Sequence, residues 1–389
     1  MAEPSLMLKI PFVDLHPQYL EVKQRLDESL ARLIGASSFI GGAAVREFEA
    51  ALAGEEARRF AVGVKSGTAA LQLVFEGLDL PPGAEIITTT HTAVPTVEAI
   101  VRAGFKPVLC DIDPATYQIS AGAAAAAVTS RTAVLLPVHL YGVPAPLREL
   151  SALAGRKGLT LVEDVAQAQG AALDGKRVGT WGAAACFSFF PSKCLGGFGD
   201  SGAVTTDREP LASKVRALSN HGRLEKFTHE VVGVNERIDT LQAAVLSAKL
   251  PRLADWNAMR RRAARWYVEG LAGVGDLVLP EVPGGAEPVW HLFVVRTGKR
   301  DELARHLAAR GVQTGMHYPA PVHLHPAYAS LGYGKGAFPQ AEAAAASILS
   351  LPIYPHLTEG EAAYVVEQTA AFFGKGSRAT AAASRRSAD

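Results

Sequence analysis

An α/β fold built on a mostly parallel sheet is what this chain predicts, and three observations carry it. Short apolar runs alternate with helical stretches, an acidic pair closes one run, and a lysine follows another. Segments 20–34 (Val22, Leu26, Leu30, Leu33, Ile34) and 44–53 have helical spacing. After the apolar run FAVGV (60–64), the strand-like runs are EIITTT (85–90), PVLCDI (107–112), AVLLPV (133–138) and LTLVED (159–164). Helical stretches at 94–103, 121–127 and 145–157 lie between them, which is the βαβ pattern. From Ile238 to Leu271 the spacing predicts one long helix or a pair, broken or kinked at Pro251. The Pro/Gly-rich LPEVPGGAEP (279–288) leads into a smaller C-terminal lobe. There HLFVVR (291–296) reads as a strand and 301–311 as a helix ended by Gly311.

The expected organisation is a large domain over 1–255, whose N-terminal segment can pack with the small lobe, and a small domain over 256–373. The Ala-, Ser- and Arg-rich tail, 374–389, is expected to be disordered.

Composition narrows the class. Hydrophobic content of 48% with 20% charged residues suits a folded globular chain rather than a disordered one. A net charge of +1 gives no electrostatic case for nucleic acid or a membrane surface. No apolar run approaches the ~20 residues of a membrane span, and the N-terminus lacks the apolar core of a signal peptide, so a cytoplasmic location is expected. Cys110, Cys186 and Cys194 form neither a CxxC pair nor an even framework, so no disulfide or zinc site is expected.

Three stretches carry chemistry. In CFSFFPSKCLGGFGDSG (186–202), Lys193 sits between an aromatic strand and a glycine-rich loop. A partly dry setting there favours the neutral amine, the form that attacks an aldehyde to make a Schiff base. In LVEDVAQAQG (161–170), Asp164 stands at the end of a buried run, where open α/β sheets bind ligands. A pyridoxal phosphate (PLP) enzyme needs both parts: a Schiff-base lysine and an acid that keeps the pyridine nitrogen protonated. Gln167 can reach the ring hydroxyl; alternatively Asp164 caps a following helix and Gln167 is a surface residue. In SGTAALQL (66–73), a helix N-terminus offers free N–H groups to a phosphate, Thr68 adds a hydroxyl, and Ser188 is a second candidate ligand. The bland alternative is a Ser/Thr helix cap.

With NERIDTLQAAVL (235–246) following, these motifs resemble, in order and spacing, the DegT/DnrJ/EryC1/StrS sugar aminotransferases, PLP enzymes of fold type I, from FVDLHPQY (12–19) to LSLPIYPHLT (349–358). The resemblance implies a fold type I aminotransferase-like architecture, a mostly parallel mixed sheet flanked by helices plus a smaller C-terminal α/β lobe. It implies that Lys193 carries the cofactor and later moves the proton. Asp164 would pair with the pyridine nitrogen, Gln167 would lie near the ring hydroxyl, and Gly67, Thr68 and Ser188 would hold the phosphate. Asn235 resembles an asparagine reaching the phosphate in the neighbouring subunit's site, which implies a homodimer with shared active sites. His317 and Tyr318, in MHYPAPVH, resemble the family's segment near the nucleotide-sugar.

The implied activity is transfer of an amino group from a donor, expected to be glutamate, to a nucleotide-linked keto-sugar, with pyridoxamine phosphate as the intermediate form of the cofactor. The 322–336 segment favours amination at C3. A keto-cyclitol acceptor and a non-catalytic binding or regulatory relative are the alternatives; histidine in place of the lysine would indicate a dehydratase, and Lys193 argues against that. One departure concerns cofactor stacking. Family members commonly place an aromatic residue where this chain has Ala93, while His91 precedes Thr92, so either His91 supplies the flat face or that contact is reduced. Another is GDSG (199–202) for GDGG. Gly197, Gly199 and Gly202 also satisfy G-x-G-x-x-G, but no helix is expected to open within them, as a dinucleotide site requires. His323 and His325, spaced as on a strand, lack a nearby carboxylate or cysteine and read as a site wall or packing rather than a metal site.

Overall fold

The computed structural model describes residues 8–225 and 227–374. The expected disordered tail, apart from Gly374, lies outside the described residues. Among the described residues there are twelve strands: β1 (Phe60–Val64), β2 (Glu85–Thr89), β3 (Lys106–Cys110), β4 (Thr132–Leu135), β5 (Thr160–Asp164), β6 (Ala172–Leu173), β7 (Lys176–Arg177), β8 (Ala184–Ser188), β9 (Gly202–Thr206), β10 (Ala286–Glu287), β11 (Phe293–Arg296) and β12 (Ile348–Leu351).

Seven of them form the main sheet in the order β1-β9-β8-β5-β4-β2-β3, with β9 antiparallel to both its neighbours and the other pairings parallel. Parallel strands covered on both faces read as continuous apolar runs, and alternate residues go to opposite layers. Ile87, Leu135 and Leu161 pack with helices Ala43–Glu55, Leu147–Lys157 and Thr240–Lys249, whereas Ile86, Val134 and Val162 pack with Gly67–Gly77, Val94–Arg102 and Glu209–Ser219. The strand-and-helix alternation of the sequence is thus the alternation of a three-layer sandwich. The reversed direction of β9 had no signature, because a strand reads the same whichever way it enters a sheet.

Pro251 sits in a short 3₁₀ turn, Leu250–Arg252, that separates Thr240–Lys249 from the helix Leu253–Leu271. Beyond it lies a separate core. Ala263, Tyr267 and Leu271 pack against β11, β12, Arg300–Ala308 and Glu359–Phe372. Ile10 belongs to this core and bridges to Val312, so the chain's beginning is tied to its C-terminal lobe. The 322–331 segment forms 3₁₀ turns, Val322–Leu324 and Pro326–Leu331, rather than the strand its histidine spacing suggested; Pro321 and Pro326 lack the N–H a ladder needs. Among the described residues, no helix is long and apolar enough to cross a membrane.

Candidate active site

The register of the sheet brings three chain segments to one point. Gly202 at the start of β9 lies opposite Val64, the end of β1, and opposite Ser188, the end of β8. A Cβ on Gly202 would stand 2.5 Å from the Ser66 carbonyl group and 2.7 Å from the Phe187 carbonyl oxygen, so only glycine allows this convergence. Ser66 then caps the helix Gly67–Gly77, its Oγ accepting from Ala69 N–H at 3.1 Å. Gly67 is pressed against Ser188: a Cβ there would fall 2.8 Å from the Ser188 Cβ. First-turn N–H groups, the Thr68 side chain and the Ser188 hydroxyl therefore share one partly exposed cradle. Its shape and all-donor character fit a phosphate.

The carboxylate and the lysine sit beside it. Asp164 ends β5, and no helix begins after it. Its Oδ1 accepts from Ala166 N–H at 3.1 Å and its Oδ2 from Thr96 Oγ1 at 2.9 Å. Burial raises its pKa; those two hydrogen bonds and the Lys193 charge oppose the rise. Burial pulls Lys193 down to about 8, against the pull of Asp164 in the other direction. Each group is thus felt by the other inside one crevice. The donor-lined cradle, the buried acid and the depressed lysine are the three groups PLP requires at its phosphate, its pyridine nitrogen and its aldehyde.

Gln167 is buried between two tyrosines. Its Oε1 accepts from Tyr141 N–H at 2.7 Å, and its Nε2 donates to Tyr318 Oη at 3.2 Å. His317 stacks on Phe12, with centroids 5.5 Å apart and planes at 15°, and pairs through Nδ1 with Ser350 Oγ at 2.8 Å. Burial and the Lys193 charge lower its pKa to about 4, so it is neutral and faces the lysine. His91 is 0% exposed and turns its ring onto Tyr117 and Tyr141. Its Nε2 meets Tyr141 Oη at 2.8 Å, and no face of the ring opens on the crevice in this arrangement. Asn235 is exposed and itself bridges by backbone to Asn220, and its neighbour Glu236 accepts from Lys65 N–H at 2.9 Å. Around it, Leu224, Phe227, Val231 and Val232 are all exposed, Val232 at 97%.

Cys110, Cys186 and Cys194 are free and buried. His323 is buried between Thr90 Oγ1 (2.8 Å) and Glu342 Oε1 (3.1 Å), a packing link. Among the described residues, no group of three or more His, Cys, Asp or Glu side chains is placed to hold a metal ion.

Several contributors escaped the sequence reading. Thr96, in the first turn of the helix Val94–Arg102, meets Thr92, which precedes that helix, and their Oγ1 atoms are 3.0 Å apart. The i, i+4 spacing was visible, but its target was not. Lys249, 2% exposed, donates to the Gly196 carbonyl at 2.7 Å and lies 4.7 Å from the Phe198 ring centroid. Gln242 Oε1 accepts from Phe198 N–H at 2.8 Å. Helix Thr240–Lys249 thereby grips the loop after Lys193 at both its ends. Tyr141 carried no signal in the sequence.

Comparison with known proteins shows the family. The family model for the DegT/DnrJ/EryC1/StrS aminotransferase family matches residues 21–370. The chain is 46% identical to the erythromycin biosynthesis sensory transduction protein EryC1 of Saccharopolyspora erythraea, over 92% of this chain and 98% of that one. It is 44% identical to a dTDP-3-amino-3,4,6-trideoxy-α-D-glucose transaminase of Streptomyces venezuelae, over 92% and 95%. The crystal structure of S. venezuelae DesV in complex with a ketimine intermediate superposes with a TM-score of 0.92 at 43% identity, covering 94% of this chain and 99% of that one. The chain belongs to the DegT/DnrJ/EryC1/StrS aminotransferase family.

Proposed function

We propose that this chain is a PLP-dependent aminotransferase that moves an amino group from glutamate to a nucleotide-linked keto-sugar, acting on C3. The convergence of Lys193 and Asp164 beside the Gly67–Ser188 cradle carries the reading. Support for C3 is the Streptomyces relative, whose name specifies a 3-amino sugar.

When bound, PLP supplies an electron sink that makes the carbon bearing the amino group acidic. The chain's residues do the rest. Gly67, Thr68 and Ser188 hold the phosphate; Asp164, oriented by Thr96, holds a proton on the pyridine nitrogen. Lys193, partly neutral near physiological pH, would take the proton from the donor carbon at its Nζ and deliver it to the cofactor carbon, and would carry it in the opposite direction with the keto-sugar. Glutamate leaves as its keto acid and the sugar leaves as an amine. Gln167 would lie near the ring hydroxyl, with His317 and Tyr318 as the wall toward the sugar.

The reading includes a cytoplasmic homodimer in which the exposed Leu224, Phe227, Val231 and Val232 pack on a second copy and Asn235 completes the phosphate site there. The exposure of these apolar side chains motivates this. Residues 1–255 and 256–373 act as large and small domains about the crevice. A keto-cyclitol would use the same residues, so the acceptor separates the two readings. The regulatory name of the Saccharopolyspora relative favours testing a non-catalytic role as well.

The deciding experiment is the absorption spectrum of the purified protein with PLP, before and after glutamate, then with dTDP-3-amino-3,4,6-trideoxy-α-D-glucose. A visible band absent from Lys193→Ala and bleached by glutamate supports the aminotransferase, and bleaching by the sugar supports the acceptor class. A protein that takes up no PLP sinks the enzyme reading. A band bleached by glutamate alone points to another acceptor, a keto-cyclitol among them. Mixing Lys193→Ala with Asn235→Ala subunits tests the shared site, because one site of the mixed dimer is then intact; activity that stays at the level of the separate mutants rejects it.

A further inference from the structure

Tyr141 is a junction. Its Oη contacts two groups: the His317 carbonyl oxygen and His91 Nε2. A carbonyl can only accept, so the tyrosine proton is committed to His317. Tyr141 Oη must then accept from His91, which fixes His91 as the tautomer with its proton on Nε2. The unpartnered, buried Nδ1 of His91 agrees with this, since it carries a lone pair and no proton.

The backbone of Tyr141 and Gly142 makes three further ties. Tyr141 N–H donates to Gln167 Oε1 at 2.7 Å, and Tyr141 C=O accepts from Leu292 N–H at 3.2 Å. Gly142 C=O accepts from Val289 N–H at 2.9 Å. Tyr141 adopts φ +63 and Gly142 φ +88, the left-handed region that lets the chain reverse here. A Cβ on Gly142 would lie 2.8 Å from His291 N and 3.0 Å from Gln167 O, so the turn is wedged between the sheet and the C-terminal lobe. Gln167 closes the loop by donating to Tyr318 Oη. The two residues expected at the substrate wall, 317 and 318, are therefore held from one point by two routes: Tyr141 Oη to His317, and Tyr141 N–H through Gln167 to Tyr318.

We infer that Tyr141, set by His91, is a positioning residue that fixes the 317–318 substrate wall relative to the cofactor-side Gln167. This rests on the aminotransferase reading for its consequence in catalysis, but the tie itself is a property of the fold. His91 acts through Tyr141 and not by stacking on the cofactor.

The test uses the PLP-loaded protein and four variants read two ways. Amide hydrogen exchange over residues 314–322 reads the tie, and glutamate titration of the visible band reads its effect on substrate. In Tyr141→Phe, exchange over 314–322 quickens about tenfold while that over β12 stays put, and half-bleaching needs about tenfold more glutamate, the factor one hydrogen bond is worth. His91→Leu does the same. His91→Gln, whose Nε2 can donate where the imidazole did, behaves as the wild type, and Phe12→Leu, which alters the wall without touching the tie, leaves exchange at Tyr318 unchanged. Unchanged exchange in Tyr141→Phe overturns the proposal. Faster exchange with an unmoved glutamate titration reduces the tie to a structural one and also overturns it, as does His91→Gln matching His91→Leu. A wild-type band that glutamate fails to bleach defeats the donor assignment above, and the exchange arm then decides this proposal alone.

Discussion

Thr96 donates to Asp164, Oγ1 to Oδ2 at 2.9 Å, across 68 positions of sequence and from the first turn of a helix into the end of a strand. The bond is buried, and it favours the ionised carboxylate. Thr96 is in turn held by Thr92. The acid that must hold a proton on the cofactor is thus oriented by a residue with no acid–base chemistry of its own.

Replacing Thr96 by valine keeps the shape and removes the donor. Burial already raises the Asp164 pKa, so losing an opposing hydrogen bond raises it further. The acid limb of the pH–rate profile moves to higher pH. The glutamate half-reaction slows by about tenfold or more at neutral pH, matching the ~1.5–3 kcal/mol of a hydrogen bond to a charged group. Rapid-mixing absorbance across pH 5–9 measures both.

Lys193 gives a second pH dependence of opposite origin. Burial lowers its pKa to about 8, so in the cofactor-free protein about a tenth of the amine is neutral at pH 7. The rate of PLP capture should climb with pH up to about 8 and then level. A plateau displaced to about 10.5, the ordinary lysine value, would refute the dry setting. Stopped-flow growth of the visible band reads this directly.

Gly67→Ala tests the phosphate cradle without touching an ionisable group. Its Cβ would fall 2.8 Å from the Ser188 Cβ, inside any real contact, so the helix N-terminus must move off the strand end. PLP affinity should drop at least tenfold, with a smaller loss of thermal stability. Ser188→Ala, which removes a hydroxyl and leaves the packing, should cost only a few-fold; fluorescence titration of both variants with PLP measures the two losses.

How much of this was readable in the sequence depended on distance along the chain. Lys193, Asp164, Gly67 and Ser188 were legible because each sits where a strand ends, and strand ends are local patterns. Their convergence rests on the register of β1, β9 and β8, which no local pattern encodes. Lys249 looked like an ordinary helix-terminal lysine; its burial follows from how its helix packs across the lysine loop, 53 positions from Gly196. His91 was noticed for its place beside Ala93, yet its partner, Tyr141, is 50 positions away. The acidic pair was informative for Asp164 and uninformative for Glu163, because alternate strand residues face opposite layers and only one of them faces the crevice.

Glu163 supplies the last prediction, and it concerns the scaffold rather than the chemistry. Four donors fill its carboxylate: the N–H groups of Gly179 (2.7 Å), Trp181 (2.8 Å) and Gly182 (2.8 Å), and His139 Nε2 (3.2 Å). His139 Nδ1 accepts from Ala145 N–H at 3.0 Å, which leaves its proton on Nε2 for the carboxylate. Burial alone would raise this carboxyl, but the donors outweigh it and the net pKa lies below the usual 4.5. A depressed folded pKa means the stabilisation is present above pH 4.5 and is lost as pH falls through the folded value. Glu163→Gln turns an amide NH₂ toward two donors and leaves them unpaired, so the variant should be about 2–4 kcal/mol less stable at pH 7. The deficit should shrink as the pH falls through the depressed folded pKa, where the wild-type carboxylate itself takes up a proton. Thermal melts of the PLP-free protein in a series from pH 7 into the acid range distinguish this from a uniform loss, in which the gap would stay constant.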